Sequence, residues 1–205
     1  MTIDLKKTHA AFYRAPRGDV VEVVVPACTY LAVDGRGDPN TTPAYREAVE
    51  ALYVSAYTIR AVVTKRGGEA FVVGPLEGLW WSEDPSSFTR NERAAWEWTM
   101  LIPLPEHVSA DDIATGLASA AKKKPDASLD RVRALTLAEG RCLQIMHVGP
   151  YAEEGPTLAR LHHEVMPARG LTWNGPHHEI YLGDPRRAAP EKLRTVLRQP
   201  VRPIA

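Results

Sequence analysis

The chain has 205 residues, 44% hydrophobic and 24% charged, with 25 lysines and arginines set against 25 aspartates and glutamates. That composition fits one large soluble domain or two small halves sharing a core. With no net charge there is no basic footprint for a phosphate backbone, so direct nucleic-acid binding is not expected. No run reaches the roughly 20 apolar residues of a membrane helix. The charged start at residues 1–7 lacks the apolar core of a secretory signal, and the expected location is the cytoplasm.

In chain order, Val20 to Val25 and Cys28 to Val33 read as strands interrupted by Pro26. The Asp, Gly, Pro and Asn residues of positions 34–40 form a turn cluster. A helix follows over Ala44 to Val63, with Thr42 as N-cap and Pro43 at the first helical position, where its missing donor costs nothing. Gly67-Gly68 stops it. Pro75-Leu76-Glu77-Gly78-Leu79-Trp80-Trp81 and Ala95 to Ile102 are the next strands. Ser109 and Asp112 resemble a capping box for a helix ending in Lys122 to Lys124, where cations suit the dipole. Pro125 to Asp130 is a connector.

The second half repeats the order. A hairpin is expected at Glu139-Gly140, pairing Val132 to Leu137 with Cys142 to Val148. Pro156 opens a helix with Leu158, Leu161 and Val165 on one face, ended by Pro167 and Gly170. The strands Glu179 to Leu182 and Leu193 to Leu197 complete the unit. Each half therefore reads strand–helix–strand–strand. The fold class is α+β: a duplicated module making two antiparallel sheets with helices packed on one side. The whole of 1–205 is read as a single domain, with a first module at about 20–105, a connecting helix at about 109–124 and a second module at about 130–201. Cys28 and Cys142 fall at strand starts in the two halves and read as buried thiols.

Several chemistries find no signal. The adjacent pairs His162-His163 and His177-His178 cannot easily face one metal, and no HExxH spacing occurs, so no metal site is expected. No Gly-x-Ser-x-Gly elbow, phosphate loop or dinucleotide fingerprint is present, and no cofactor is expected.

Four pieces carry a resemblance: Tyr30 to Asn40, Pro75 to Trp81, His147-Val148-Gly149-Pro150-Tyr151, and His177-His178-Glu179-Ile180-Tyr181-Leu182. Together the chain resembles the GyrI-like small-molecule-binding family along essentially its whole length. The resemblance implies two modules related by a pseudo-twofold axis with a ligand cleft between them. It also implies either a drug-sensing domain or a stand-alone protein. Some stand-alone members resembling this chain hydrolyse the cyclopropane of DNA-alkylating natural products.

Strand alternation puts His177, Glu179 and Tyr181 on one face and His178, Ile180 and Leu182 on the other. Glu179 is then either a solvated carboxylate or, as the resemblance implies, a cleft residue. In a hydrolase, desolvation would raise its pKa into a useful range for a base. If Pro75 and Pro176 are equivalent, Gly78 matches Glu179 and Trp80 matches Tyr181. That register leaves room beside Gly78 for a flat ligand; aligning Glu77 with Glu179 would instead put Trp81 there. Four of the five tryptophans fall between Trp80 and Trp98. They are either strand packing or an aromatic platform, with Trp80, Trp81 and Trp98 the ligand-facing candidates. Tyr53 and Tyr57 lie one helical turn apart. They either pack on the sheet or offer a phenol to stabilise an oxyanion, Tyr57 before Tyr53. His147 and Tyr151 match a family strand end near the cleft, with Tyr151 either a ligand contact or a brace for its turn.

The expected function is a metal-independent ring-opening hydrolase acting on a flat hydrophobic or aromatic molecule, with Glu179 and Tyr57 catalytic and detoxification the result. The alternative is a drug-sequestering or regulatory module without turnover. A gyrase-modulating role finds little support in the balanced charge. No membrane partner is expected, and the chain is expected to be a monomer or weak homodimer.

Overall fold

A computed structural model describes residues 2–84, 92–125 and 127–204. Residue 126 of the connector lies outside them. The chain divides into two compact units interleaved in sequence. Unit 1 takes Met1–Thr8 and Cys28–Leu137; unit 2 takes His9–Ala27 and Ala138–Ala205. The interleaving comes from two long strands. β1 (Val21–Arg36) and β4 (Arg133–Val148) are each 16 residues long, and each passes from one unit into the other. The strands therefore do not separate into the two sheets expected from the sequence. They form antiparallel ladders in which two members are common to both units.

Neither interruption read in these strands is present. Pro26 sits within β1, in a stretch whose side chains are mostly exposed or half-buried. Gly140 sits within β4 at φ 66°, a conformation that glycine adopts without strain. The expected hairpin at Glu139-Gly140 is thus a local distortion of one continuous strand. Two short helices absent from the sequence reading, α1 (Leu5–Thr8) and α2 (Ala10–Tyr13), precede β1.

In unit 1, β3 (Glu97–Leu104) pairs on one side with β1 and on the other with β2 (Leu76–Trp81). The helix α3 (Pro43–Lys65) buries Ala48, Ala51, Leu52, Ser55, Ala56, Ile59 and Val63, the three- and four-residue spacing of one helical face. Thr42 occupies the N-cap position as expected, but its side chain makes no capping bond. The capping box of α4 (Ala110–Lys123) forms fully, with Ser109 accepting from the Asp112 amide. Arg66 then grips the Asp112 carboxylate with two donors, at 2.5 and 2.6 Å. That guanidinium and the Ser109 donors hold Asp112 well below the usual carboxylate range. A Cβ at Gly116 would lie 2.3 Å from Ile59, so this glycine lets α4 approach α3 closely.

In unit 2, β7 (Arg194–Pro203) is the central strand, pairing with β4 and with β6 (His177–Tyr181). A three-residue strand, β5 (Leu171–Trp173), joins the far end of β7. The expected helix is three pieces: α5 (Gly155–Ala159), a π-helical segment (Arg160–Val165) and α6 (Met166–Ala168). Leu161 and Met166 pack with Leu143, Ile145, Leu197 and Val201 into this unit's core, with Leu158 and Val165 beside them.

The registers match the two halves residue by residue. Gly78 lies opposite Met100 and Trp80 opposite Trp98, while Glu179 lies opposite Leu197 and Tyr181 opposite Thr195. On the outer strands Gly35 faces Trp98 and His147 faces Thr195. Setting Gly78 against Glu179, as the equivalence of Pro75 and Pro176 does, matches Trp80 to Tyr181, Trp98 to Thr195 and Gly35 to His147.

Candidate functional site

The pleat of β6 sorts its side chains onto two faces, and both faces are polar. On one, His178 Nδ1 lies 2.9 Å from Glu139 Oε1, and Arg198 donates to Glu139 Oε2 at 2.8 Å. Arg198 also donates to the Phe12 carbonyl at 2.6 Å, and Gln144 donates to the Ala11 carbonyl at 2.7 Å. Burial would raise the Glu139 pKa, but His178 and Arg198 overcome it and hold it at about 2. A buried carboxylate in that state is fully paired and acts as a structural anchor for α2.

The other face carries the candidate site. Tyr181 donates its hydroxyl to Glu179 Oε2 at 2.8 Å, and His177 Nε2 lies 3.6 Å from Glu179 Oε1. These contacts confirm that His177, Glu179 and Tyr181 share a face. The Glu179 side chain is only 14% exposed, which rules out a fully solvated carboxylate. Glu154, the residue preceding α5, is 4% exposed. Burial raises both carboxyls, and the Glu179 charge pushes Glu154 further, while the Thr195 hydroxyl opposes that rise and Tyr181 and His178 restrain Glu179. The pair titrates with apparent values of about 7 for Glu179 and about 9 for Glu154. Near neutral pH one carboxyl can accept a proton while the other can donate one.

Beyond Glu179 the polar row continues. The His177 and His162 rings meet edge to face at 5.4 Å, and His162 lies 4.3 Å from the Trp173 ring. Burial lowers both histidines, His162 to about 4, so both are neutral at pH 7. The buried atoms Glu154 Oε1, Thr195 Oγ1, Gln199 Oε1, His162 Nε2 and both ring nitrogens of His177 have no partner at hydrogen-bonding distance within the protein. These atoms make a concentration of buried polar groups around Glu179.

The equivalent layer of unit 1 is aromatic. Tyr45 of α3 stacks on Trp80 at 6.3 Å and meets Trp98 edge to face at 5.3 Å, and Trp96 meets Trp80 at 6.0 Å. Trp98 is wholly buried and donates to the Gly37 carbonyl at 3.2 Å. A Cβ at Gly35 would lie 2.1 Å from its ring. Trp98 therefore supports this layer and exposes no surface of its own. Trp81 points the other way, packs near Tyr30, Ala32, Leu79 and Leu101, and donates to Glu97 at 3.1 Å. A Cβ at Gly78 would lie 2.8 Å from Trp80 Nε1, so the room that glycine leaves is filled by the Trp80 ring rather than left open for a ligand.

Of the remaining candidates, Tyr57 is 56% exposed and stacks with Tyr53 at 6.4 Å. Tyr151 meets Tyr181 at 5.3 Å, placing it beside the Glu179 group. The ring nitrogens of His147 lie 3.3 Å from Thr157 Oγ1 and 3.2 Å from the Pro150 carbonyl, which ties the start of α5 to β4. Glu154, His162, Thr195 and Gln199 were not singled out from the sequence as site residues. Their link to Glu179 is made across strands and leaves no local spacing to read.

Among the described residues, no group of three or more His, Cys, Asp or Glu side chains could hold a metal ion, and no helix is long and apolar enough to cross a membrane. The GyrI-like small-molecule-binding domain matches residues 18–202. This chain belongs to the GyrI-like family. Three solved structures similar to it come from Listeria innocua. One, a conserved protein, is 43% identical with a TM-score of 0.89, over 98% of this chain and 100% of its own. Two are hydrolases, 41% and 42% identical with TM-scores of 0.84 and 0.87, over the same shares of each chain. No curated protein matches this GyrI-like chain.

Proposed function

We propose that this GyrI-like protein is a hydrolase that adds water to a strained electrophile, a cyclopropane fused to a dienone, and so detoxifies DNA-alkylating natural products. The observation that carries the reading is Glu179: a mostly buried carboxyl with its pKa raised to about 7 and its orientation set by Tyr181. Such a group can take a proton from water at physiological pH. The hydrolases among its relatives support the general class of reaction.

In this reading Glu179 deprotonates the water that attacks the ring carbon. The ring carbon–carbon bond breaks, and its electron pair moves through the dienone onto the carbonyl oxygen, where a tyrosine stabilises it. Tyr57 is the proposed donor, with Tyr53 second. Trp80 is the proposed platform for the flat ligand, with Trp81, His147 and Tyr151 as further contacts and Trp98 acting through Trp80. Release of ring strain supplies the driving force.

The test is purified protein incubated with an excess of a duocarmycin-type compound, followed by mass spectrometry. Many equivalents of the ring-opened hydrate per chain are expected. Unchanged compound bound tightly, or one equivalent consumed per chain, would instead establish a sequestering module. The small-molecule-binding domain that matches residues 18–202 favours this second reading, since binding needs no turnover.

A further inference from the structure

The two carboxyl oxygens of Glu179 are placed differently. Tyr181 donates to Oε2 at 2.8 Å, which makes Oε1 the oxygen open to a proton. Facing Oε1 is His177 Nε2, at 3.6 Å. That separation is too long for a direct hydrogen bond and is the kind of gap that a shared water closes. The hydrogens of the neighbouring groups point the same way. Burial keeps His177 uncharged at pH 7, so its ring carries a single N–H. Gln199 of β7 commits its amide nitrogen to the Gly175 and Pro200 carbonyls, at 3.0 and 3.1 Å, so the end it offers to a histidine is the acceptor Oε1. It acts on His177 in that sense, from beyond hydrogen-bonding distance. Two acceptors, Gln199 and Glu179, thus flank a ring with one N–H. A molecule that brings its own hydrogens is what joins such a ring to a carboxylate. The ring is also held in place. His162 meets it edge to face at 5.4 Å and lies 4.3 Å from Trp173. His162 belongs to the π-helical segment Arg160–Val165, a kind of helix distortion that recurs at functional sites.

We infer that His177 is a second catalytic residue of the proposed hydrolysis: its ring and Glu179 Oε1 together hold the attacking water, the imidazole aiming the water oxygen while the carboxylate takes the proton. This rests on Glu179 being the base of that reaction. The water O–H bond breaks toward Oε1, and the water oxygen forms the new bond to the ring carbon. The cyclopropane carbon–carbon bond breaks, and its electron pair reaches the carbonyl oxygen. Transfer of the Glu179 proton to that oxygen restores the carboxylate, so each cycle consumes only substrate and water. His177 stays neutral throughout and contributes geometry, since a small misplacement of the nucleophile is enough to slow the step.

The test is ring opening of a duocarmycin-type compound by the wild type, His177→Phe and His177→Asn, in water and in water–methanol mixtures. His177→Phe keeps a ring without nitrogens and should lose about 10-fold or more in kcat, with KM within about twofold of the wild type. His177→Asn keeps polar atoms and should recover part of that loss, and either variant alone carries the test if the other does not fold. Methanol competes with water as the nucleophile. Both variants should form more methyl ether relative to hydrate than the wild type, because a held water loses its advantage of position. A loss of packing alone would leave that ratio where it was. A folded variant with the wild-type kcat, a loss lying wholly in KM, or an unchanged ether-to-hydrate ratio would overturn the inference while leaving Glu179 as the base. No hydrate from the wild type would overturn the hydrolase reading, and the role of His177 with it.

Discussion

The same frame is filled in opposite ways in the two units. Where unit 1 has Gly78, Trp80, Trp98 and Gly35, unit 2 has Glu179, Tyr181, Thr195 and His147. Even the residue before the helix differs in kind, Thr42 in one and Glu154 in the other. In unit 1, glycines lie where tryptophan rings need space, and the layer closes with aromatic contacts. In unit 2 the Tyr181 ring holds Glu179 and meets Tyr151, and around them stand buried titratable groups with unpartnered atoms. One copy of the module is built for packing strength and stacking surface. The other gives up packing to keep ionisable groups away from water, which is how a protein tunes acid–base chemistry.

The contrast can be broken most severely in unit 1 by Gly35→Val. The new side chain meets the Trp98 ring, and overpacking should cost about 3 kcal/mol or more in chemical denaturation. Stability unchanged within error would mean that the aromatic layer is not tightly closed. Gly116→Ala adds only a methyl and should cost less, about 1–3 kcal/mol, but because that methyl meets the Ile59 backbone α4 must shift to take it.

Unit 2 should instead reveal itself through pH. The folded-state values of Glu154 and Glu179 are raised above their ordinary value of 4.5. Their contribution to stability is therefore complete below about pH 4.5 and is lost as pH rises through about 7 and about 9. Glu139 and Asp112 are depressed, so their contribution is present above their ordinary values and is lost on acidification. Stability should peak at mildly acidic pH, and Glu154→Gln should flatten the alkaline decline without changing the acid limb. A smaller effect is expected of Tyr181→Phe. Loss of the hydrogen bond that favours ionised Glu179 should move the Glu179 titration upward, read by NMR of protein labelled with carboxyl-13C glutamate.

Much of this contrast can be read from the sequence, for reasons specific to each residue. The alternation of β6 and the Ser109–Asp112 capping box depend on local spacing, and both form as read. Gly140 misled because glycine after an acid is a turn signal, and only the long-range ladder with β7 shows β4 running through it. Two sheets were expected because each half carries its own strands, whereas β1 and β4 each serve both units. Glu154 sits in an acidic segment before Gly155-Pro156 that resembles any solvated turn. Its burial follows from β7 and the neighbouring turn packing around it, which no spacing within the segment records.

The central claim is the pair of proposed roles, Glu179 as base and Trp80 as ligand platform. Steady-state ring-opening kinetics on Glu179→Gln and Trp80→Ala test it most directly. The account expects Glu179→Gln to lose about 100-fold or more in kcat with KM little changed. Trp80→Ala should raise KM while kcat falls much less. A Glu179→Gln protein that turns over at the wild-type rate, or a Trp80→Ala protein whose loss lies wholly in kcat, would contradict it.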